Sequence, residues 1–108
     1  MLKKINRISS RKEFLEIKNK GVMNYSPIFG WLSLKNDDDL KKFGFVISKK
    51  ISKKAVERNK IKRRLAESIK KYLDDFEKGI RIVFLAKKEI LNKSIKEIED
   101  EIKKCLEK

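Results

Sequence analysis

A run of basic residues in the middle of the chain is the first feature that suggests a chemical task. Residues 49–64 contain nine lysines and arginines and one carboxylate, Glu57. Such a run favours a polyanion, because each cation neutralises a phosphate and releases counterions. The nine are Lys49, Lys50, Lys53, Lys54, Arg58, Lys60, Lys62, Arg63 and Arg64. They predict a surface for a phosphate-rich partner, with nucleic acid as the leading candidate.

Side chains that could carry out hydrolysis unaided are scarce. The chain has no histidine, which excludes nuclease chemistry that uses histidine as acid or base. Asp37, Asp38 and Asp39 are adjacent and could form either a magnesium site or a solvated turn. Cys105 follows Ile102 on the apolar side of a predicted helix, which indicates burial. As a single cysteine it has no internal disulfide partner, which fits a reducing compartment.

The overall charge supports a polyanionic partner. Lysine and arginine outnumber aspartate and glutamate by 30 to 16, so the 108 residues carry a net charge of +14. Self-repulsion at this charge destabilises a small single domain unless a polyanion offsets it. An anionic membrane surface or a merely solvated lysine-rich surface are the alternatives. No apolar run reaches the ~18 residues of a membrane span, and none follows the basic N-terminus as in a secretory signal. We therefore expect no membrane partner.

Three segments have the patterns of helices. Capping-box spacings at Ser10 and Ser94 predict a first helix over residues 10–20 and a last helix from residue 94 onward. The longest helix is predicted over residues 55–76, from apolar residues that recur at helical spacing. These residues are Ile61, Leu65, Ile69, Tyr72, Leu73 and Phe76.

The long helix separates apolar from basic residues. At about 100° per residue, Asn59, Lys60, Lys62 and Arg63 fall outside the apolar stripe. Arg58 falls on the apolar side, where it could contact RNA past the sheet edge or form a buried pair with a carboxylate. The preceding loop, residues 48–54, adds four cations near the helix N-terminus, whose backbone N–H groups also favour phosphate. The last helix, in contrast, intersperses both signs of charge.

The strands are predicted from β-branched and aromatic runs. Residues 27–35 and 43–48 read as two strands, which the short turn between them would join as an antiparallel hairpin. Residues 23–27 could add a short edge strand. Residues 80–86 are apolar toward both faces, which is typical of a central strand covered by helices. The order α-β-β-α-β-α indicates an α/β (α+β) two-layer sandwich with a small sheet.

Residues 53–68 resemble the signature of the bacterial ribonuclease P protein subunit. The family pattern Arg-Asn-Arg-x-Lys-Arg is matched by Arg58, Asn59, Lys62 and Arg63, while Lys60 keeps the charge without the bidentate fork. A further arginine often follows three residues later. This chain has Ala66 there, with Arg64 as a possible shifted substitute. Residues 6–14 and 44–50 also resemble the family, so that the resemblance covers about the whole chain.

The resemblance implies a fold and a function. The family fold contains a left-handed β-α-β crossover, which physical rules alone would not predict. The basic loop and helix would bind the catalytic RNA. A cleft between the first helix and the sheet would accept the 5′ leader of precursor tRNA, which the holoenzyme removes endonucleolytically in the cytoplasm. Catalysis would belong to the RNA, with Mg²⁺ bound mainly by that RNA, and the protein alone would be inactive.

Candidate leader contacts follow from this resemblance. Phe14 matches a family aromatic in the cleft, and one turn later, where some members have a second aromatic, this chain has Ile17 or Lys18. Trp31 is a third candidate, and Phe29 and Phe45 are weaker ones. Bases stack on aromatic side chains with little regard to sequence, which suits a variable leader. Core packing is the alternative for each of these aromatics.

Two other readings of the whole chain stay open at this point. A ribosomal protein with a similar sandwich and charge would also bind RNA without catalysis. A protein that coats DNA or an anionic membrane would prefer duplex DNA or acidic vesicles over structured RNA.

Overall fold

A computed structural model of the protein describes residues 2–107. The helices in that range are α1 (Arg11–Lys20), α2 (Ala55–Lys71) and α3 (Ile95–Leu106). The strands are β1 (Val22–Tyr25), β2 (Phe29–Lys35), β3 (Lys42–Val46) and β4 (Ile80–Ala86). Short 3-10 turns occupy Lys4–Asn6, Leu73–Asp75 and Lys88–Ile90. This order confirms the predicted α+β arrangement, with β1 as the short edge strand.

Side-chain caps begin the first and last helices where the sequence predicts them. The backbone N–H of Glu13 donates to Ser10 Oγ at 3.1 Å. At α3 the capping box is complete, because Glu97 N donates to Ser94 Oγ and Ser94 N donates to Glu97 Oε1. Each such cap satisfies an otherwise unpaired N–H group and stabilises a helix by about 1 kcal/mol.

The long helix ends earlier than predicted. Its C-cap is Tyr72, and the chain then forms a 3-10 turn before Phe76. Phe76 is nevertheless buried and its ring lies 5.0 Å from that of Phe43, in an edge-on contact. The apolar spacing therefore identified the buried residues correctly but not the point at which the helix gives way to a turn.

The four strands form one sheet in the order β1-β2-β4-β3. β4 lies between β2, its antiparallel neighbour, and β3, its parallel neighbour. The prediction that residues 80–86 form a central strand is confirmed. The predicted hairpin between the strands at 27–35 and 43–48 is wrong, since β4 separates β2 from β3.

The loop between β2 and β3 explains this separation. It wraps around the start of β4: Asn36 N donates to the carbonyl of Gly79, and Gly79 N donates to the carbonyl of Leu40, both at 2.8 Å. Gly79 has a φ of 86°, and a Cβ there would lie 2.2 Å from the Asn36 carbonyl oxygen. Only glycine fits this conformation and approach without strain.

An ion pair between a buried arginine and an exposed aspartate holds the same loop. Arg81 of β4 is 3% exposed and donates through Nη2 to Asp38 Oδ2 at 2.6 Å. Arg81 Nη1 also donates to the carbonyl of Leu40 at 3.1 Å. Asp37, Asp38 and Asp39 are all exposed, as expected for a solvated turn, but the carboxylate of Asp38 is also engaged by Arg81.

The main core lies between one face of the sheet and the pair α2 and α3. Alternate side chains of β4 point to this face, and Phe84 is fully buried there. Its ring contacts Phe29 edge-on at 5.2 Å and stacks on Phe45 at 5.9 Å. From the helices, the cluster receives Ile61, Leu65, Ile69, Ile98, Ile102 and Cys105. The predicted burial of Cys105 is confirmed.

No helix within residues 2–107 is both long enough and apolar enough to cross a membrane.

Acidification should destabilise the protein through Asp38. The hydrogen bond from Arg81 is the main cause that holds the pKa of Asp38 below its usual value. A carboxylate with a lowered pKa in the folded state contributes stability above its unfolded pKa of about 4, and this contribution is lost as the pH falls through the folded value. We expect Asp38→Asn to lower Tm at pH 7 and to flatten the decline of Tm below about pH 4.

Asp39→Asn is the matched control, because it removes the neighbouring charge without removing the partner of Arg81. Thermal melts of both variants and the parent protein between pH 2 and 7 measure the effect. Equal pH profiles for the Asp38 and Asp39 variants would contradict this account of the loop.

Candidate RNA interface

The exposed face of α2 is predominantly cationic. Ile61, Leu65 and Ile69 are buried against the core, which turns the opposite side of the helix to solvent. That side exposes Lys60, Arg63, Lys70 and Lys71, together with Asn59 and Glu67. The structure therefore brings the candidates Asn59, Lys60 and Arg63 onto one accessible surface and extends it by a further turn.

The basic loop before α2 presents its four lysines to solvent. Lys49, Lys50, Lys53 and Lys54 are all exposed. The loop is held by local hydrogen bonds: Ile51 N donates to the carbonyl of Ser48 at 3.0 Å, and Lys54 N donates to the side-chain hydroxyl Ser52 Oγ at 3.2 Å. These bonds give a short, defined loop that carries its cations to the start of α2.

Arg58 joins the loop to the helix. Its Nη1 donates to the carbonyl of Ser52 at 2.9 Å, and the side chain is half-buried. This partner is a backbone carbonyl and not the carboxylate that one interpretation required. The other guanidinium N–H groups leave Arg58 able to contact a phosphate at the junction of loop and helix.

Arg64 and Ala66 lie on different flanks of α2. Residues two positions apart in a helix are separated by about 200° around its axis. Arg64 is half-buried and donates through Nη1 to the carbonyl of Lys93 at 2.9 Å, which ties α2 to the start of α3. Ala66 is 2% exposed and lines a pocket beside β3. Arg64 is therefore not a spatial substitute for an arginine at position 66.

A second surface lies on the other face of the sheet, beneath α1. Glu13 of α1 accepts from Lys42 Nζ at 3.4 Å and lies 3.6 Å from Arg81 Nε. Lys42 and Arg81 are therefore on the face that α1 covers. Phe14, the next residue along α1, is half-buried. The ion pairs of Glu13 fix the start of α1 over β3 and β4 and so set the position of Phe14.

Two of the predicted leader contacts are inaccessible in this fold. Ile17 is 0% exposed beneath α1, and Trp31 is 4% exposed in the core on the opposite face. Phe29 is also buried, and Phe45 stacks on Phe84. Core packing, the alternative interpretation, describes Trp31, Phe29 and Ile17, whereas Phe45 packs against the core and stays half-buried. Lys18, the other residue one turn after Phe14, is exposed on α1.

The residues that sequence reasoning missed on this face are aliphatic. Successive strand residues alternate between faces, so the neighbours of Trp31 and Phe45 point toward α1. Leu32 pairs with Val83, and Val46 pairs with Leu85, across the sheet. Leu32, Val46 and Leu85 are half-buried, because the single helix α1 covers this face only in part. The alternation of strand residues between the two faces of the sheet, counted from Trp31, could have identified them from the sequence.

Within residues 2–107, no group of three or more carboxylate or thiol side chains is placed to hold a metal ion. Asp38 in particular is bound to Arg81.

The fold and these surfaces define a small RNA-binding protein whose helix and loop present cations beside a half-covered sheet. A family model described as Ribonuclease P matches residues 2–108. The chain belongs to the ribonuclease P protein family, which supplies the protein component of an endoribonuclease. This family assignment rules out the interpretations of the chain as a ribosomal protein or as a protein that coats DNA or a membrane.

Relatives and solved structures agree with this assignment. The ribonuclease P protein component of Nitratiruptor sp. is 35% identical over 99% of this chain and 94% of its own length. That of Dehalococcoides mccartyi is 33% identical over 99% of this chain and 87% of its own. The Staphylococcus aureus RNase P protein superposes with a TM-score of 0.85 at 26% identity, covering 96% of this chain and 94% of that one. The Thermotoga maritima protein gives 0.84 at 27%, over 93% and 94%.

Proposed function

We propose that this protein binds the catalytic RNA of ribonuclease P and the 5′ leader of precursor tRNA, and that it thereby promotes endonucleolytic removal of the leader in the cytoplasm. The observation that carries the proposal is the cationic surface formed by the loop 48–54 and the exposed side of α2. Cations on one face, away from the core, can contact several successive phosphates of a folded RNA. The deciding measurement is cleavage of precursor tRNA by a matched catalytic RNA with and without the protein.

The proposal assigns the chemistry to the RNA. Two properties of the chain support this division: it has no histidine, and residues 2–107 offer no converging set of carboxylates. The Mg²⁺ ions that serve phosphodiester hydrolysis are placed with the RNA subunit. The protein acts by lowering electrostatic repulsion, which brings the substrate and metal ions to the RNA at lower concentration.

The leader-binding surface is placed on the face that α1 partly covers. Phe14 of α1 offers a half-buried ring, and Lys18 adds an exposed cation one turn later on the same helix. An aromatic ring with a nearby cation is the arrangement that binds single-stranded RNA with little sequence preference. Ile17 and Trp31 are not part of this proposed surface, because both are buried.

Removal of the Phe14 ring should weaken leader binding specifically. Phe14→Ala is expected to weaken the binding of leader-bearing precursor tRNA to the holoenzyme by ~1–3 kcal/mol, because one base loses its stacking partner. The affinity for mature tRNA, which has no leader, should hardly change. Equilibrium titrations of the two tRNAs give the comparison.

Leu15→Ala is the matched control, since Leu15 is the adjacent, exposed hydrophobic residue of α1. It should leave both affinities unchanged. If Phe14→Ala weakened precursor and mature tRNA equally, or simply lowered Tm, Phe14 would be a packing residue and the stacking proposal would be wrong.

A further inference from the structure

A small pocket opens where the N-terminal segment meets α2 at the edge of the sheet. Its apolar wall is formed by Leu2, Phe43, Phe45 and Ala66, and its volume is about 150 Å³. Pockets for drug-sized ligands span roughly 300–1,000 Å³. The pocket therefore suits a fragment the size of one flat ring system rather than a whole nucleoside or a larger ligand.

The N-terminal segment that bounds this pocket is fixed to β3. Arg7 forms a parallel bridge with Phe43, and Ile8 N donates to the Phe43 carbonyl at 3.0 Å. Asn6 Nδ2 donates to the carbonyl of Lys41 at 2.9 Å. These bonds fix the backbone of Arg7 at the sheet edge beside the pocket, whether or not a ligand is bound.

The charged residues that line the pocket are both cationic. Arg7 and Lys62 line it together with the apolar wall, and its lining among the described residues contains no carboxylate. Arg7 is exposed and Lys62 is half-buried. Ala66 is buried and lines the pocket, so a larger side chain at this position is expected to take up part of its space. The pocket thus combines an apolar wall that includes a half-buried aromatic ring with two cations.

We infer that this pocket binds one unpaired base of RNA, whose phosphate pairs with Arg7 and Lys62. An extruded base needs an apolar slot with an aromatic wall, and its backbone brings a negative charge that the two cations match. Because Lys62 also belongs to α2, the pocket is continuous with the proposed RNA surface, and a docked RNA would reach both. This inference rests on the proposed function for the identity of the RNA, but the pocket itself can be tested without that RNA.

Mononucleotide titrations separate binding of the base from binding of the phosphate. Adenosine, AMP and ribose 5-phosphate are added to the ¹⁵N-labelled full chain and followed by NMR. Adenosine and AMP are expected to shift the backbone amides of Gly44, Phe45 and Ala66, whereas ribose 5-phosphate should not. If ribose 5-phosphate produced the same shifts as AMP, only the phosphate would be recognised and the inference would be overturned.

Substitution of Arg7 tests the charge without changing the core. Arg7→Ala should reduce the affinity for AMP toward that for adenosine, with Lys62 retaining part of the phosphate contribution, and leave the affinity for adenosine unchanged. Arg11→Ala is the control, because it removes the same charge from an exposed residue at the start of α1. Equal losses of AMP affinity in the two variants would show a general charge effect and would overturn the role of Arg7.

Substitution of Ala66 tests the space. Ala66→Leu should fill the pocket and abolish the adenosine shifts at Gly44, whereas Ala66→Ser, nearly equal in volume, should keep them. Retention of the shifts in a folded Leu variant would overturn the inference. If circular dichroism showed that the Leu variant does not fold, the Arg7 comparison and the ribose 5-phosphate arm would still decide.

The holoenzyme gives the functional readout. Relative to Ala66→Ser, Ala66→Leu should bind ribonuclease P RNA about 5- to 150-fold more weakly, the range expected for loss of one stacked base. Equal RNA affinity of the two variants would overturn the assignment of an RNA base to the pocket. If the parent protein showed no preference for ribonuclease P RNA, the proposed function would fail, whereas base-dependent shifts with adenosine would still support the pocket.

Discussion

Precursor-tRNA cleavage by a matched ribonuclease P RNA is expected to depend strongly on this protein at low Mg²⁺ and only weakly at high Mg²⁺. The RNA alone must hold a polyanionic substrate against a polyanionic surface, and either Mg²⁺ or a cationic protein can offset that repulsion. With a net charge of +14, the protein supplies this compensation when the metal is scarce. Stimulation on the order of tenfold or more is expected at low Mg²⁺, since several phosphates are neutralised together.

The measurement is a cleavage assay across a Mg²⁺ titration, with RNA alone, protein alone and both together. Protein alone should give no product at any Mg²⁺ concentration. Robust cleavage by highly purified protein without RNA would overturn the division of labour proposed above. Failure to stimulate a matched RNA at any Mg²⁺ concentration would contradict the proposed function itself.

The sequence predicts the helices of this fold well because their signals are local. Ser10 and Ser94 mark helix starts through bonds to residues three positions away, and a residue pattern can record such bonds directly. The end of α2 is less well defined. Phe76 continues the apolar spacing because it enters the core, but the chain has already left the helix at Tyr72 to return toward β4.

The pairing of the strands could not be predicted in the same way. A short connection between two strands favours a hairpin, and the residues from 36 to 41 satisfy that rule locally. Their actual partners, Gly79 and Arg81, are about forty positions later in the chain. A cation at position 81 within an apolar run was the one sequence sign that β4 needed a carboxylate partner, and Asp38 supplies it.

In the candidate site, too, the parts set by local sequence could be predicted and the parts set by long-range contacts could not. The exposed cations of α2 follow from helical spacing, so the positions expected for Lys60 and Arg63 agree with the structure, whereas Lys62 is half-buried. Leader contacts depend instead on which face of each strand meets α1. The pairs Lys42 with Glu13 and Arg81 with Glu13 settle that face, and they place Trp31 on the opposite one.

The salt dependence of RNA binding should report the loss of individual phosphate contacts on α2. We expect the double variant Lys60→Ala with Arg63→Ala to bind ribonuclease P RNA more weakly and to lower the slope of log affinity against log salt by about 1.5, because each lost contact removes roughly 0.7–0.9. The loss of affinity should accordingly be about 8-fold larger at 50 mM than at 200 mM salt, since this concentration range spans ~0.6 logarithmic units.

A variant that loses the same number of charges elsewhere distinguishes direct phosphate contacts on α2 from an effect of the protein's net charge. Lys96→Ala with Lys103→Ala removes the same two charges from exposed positions of α3, where carboxylates alternate with lysines. If α2 carries the phosphate contacts, the α3 variant should keep the parental slope of log affinity against log salt, while this slope should be lower in the α2 variant. If both variants lowered the slope equally, RNA affinity would depend on net charge rather than on a defined face. An unchanged slope in a folded α2 variant would show that the RNA docks elsewhere, because counterion release counts only those cations that are close to phosphates.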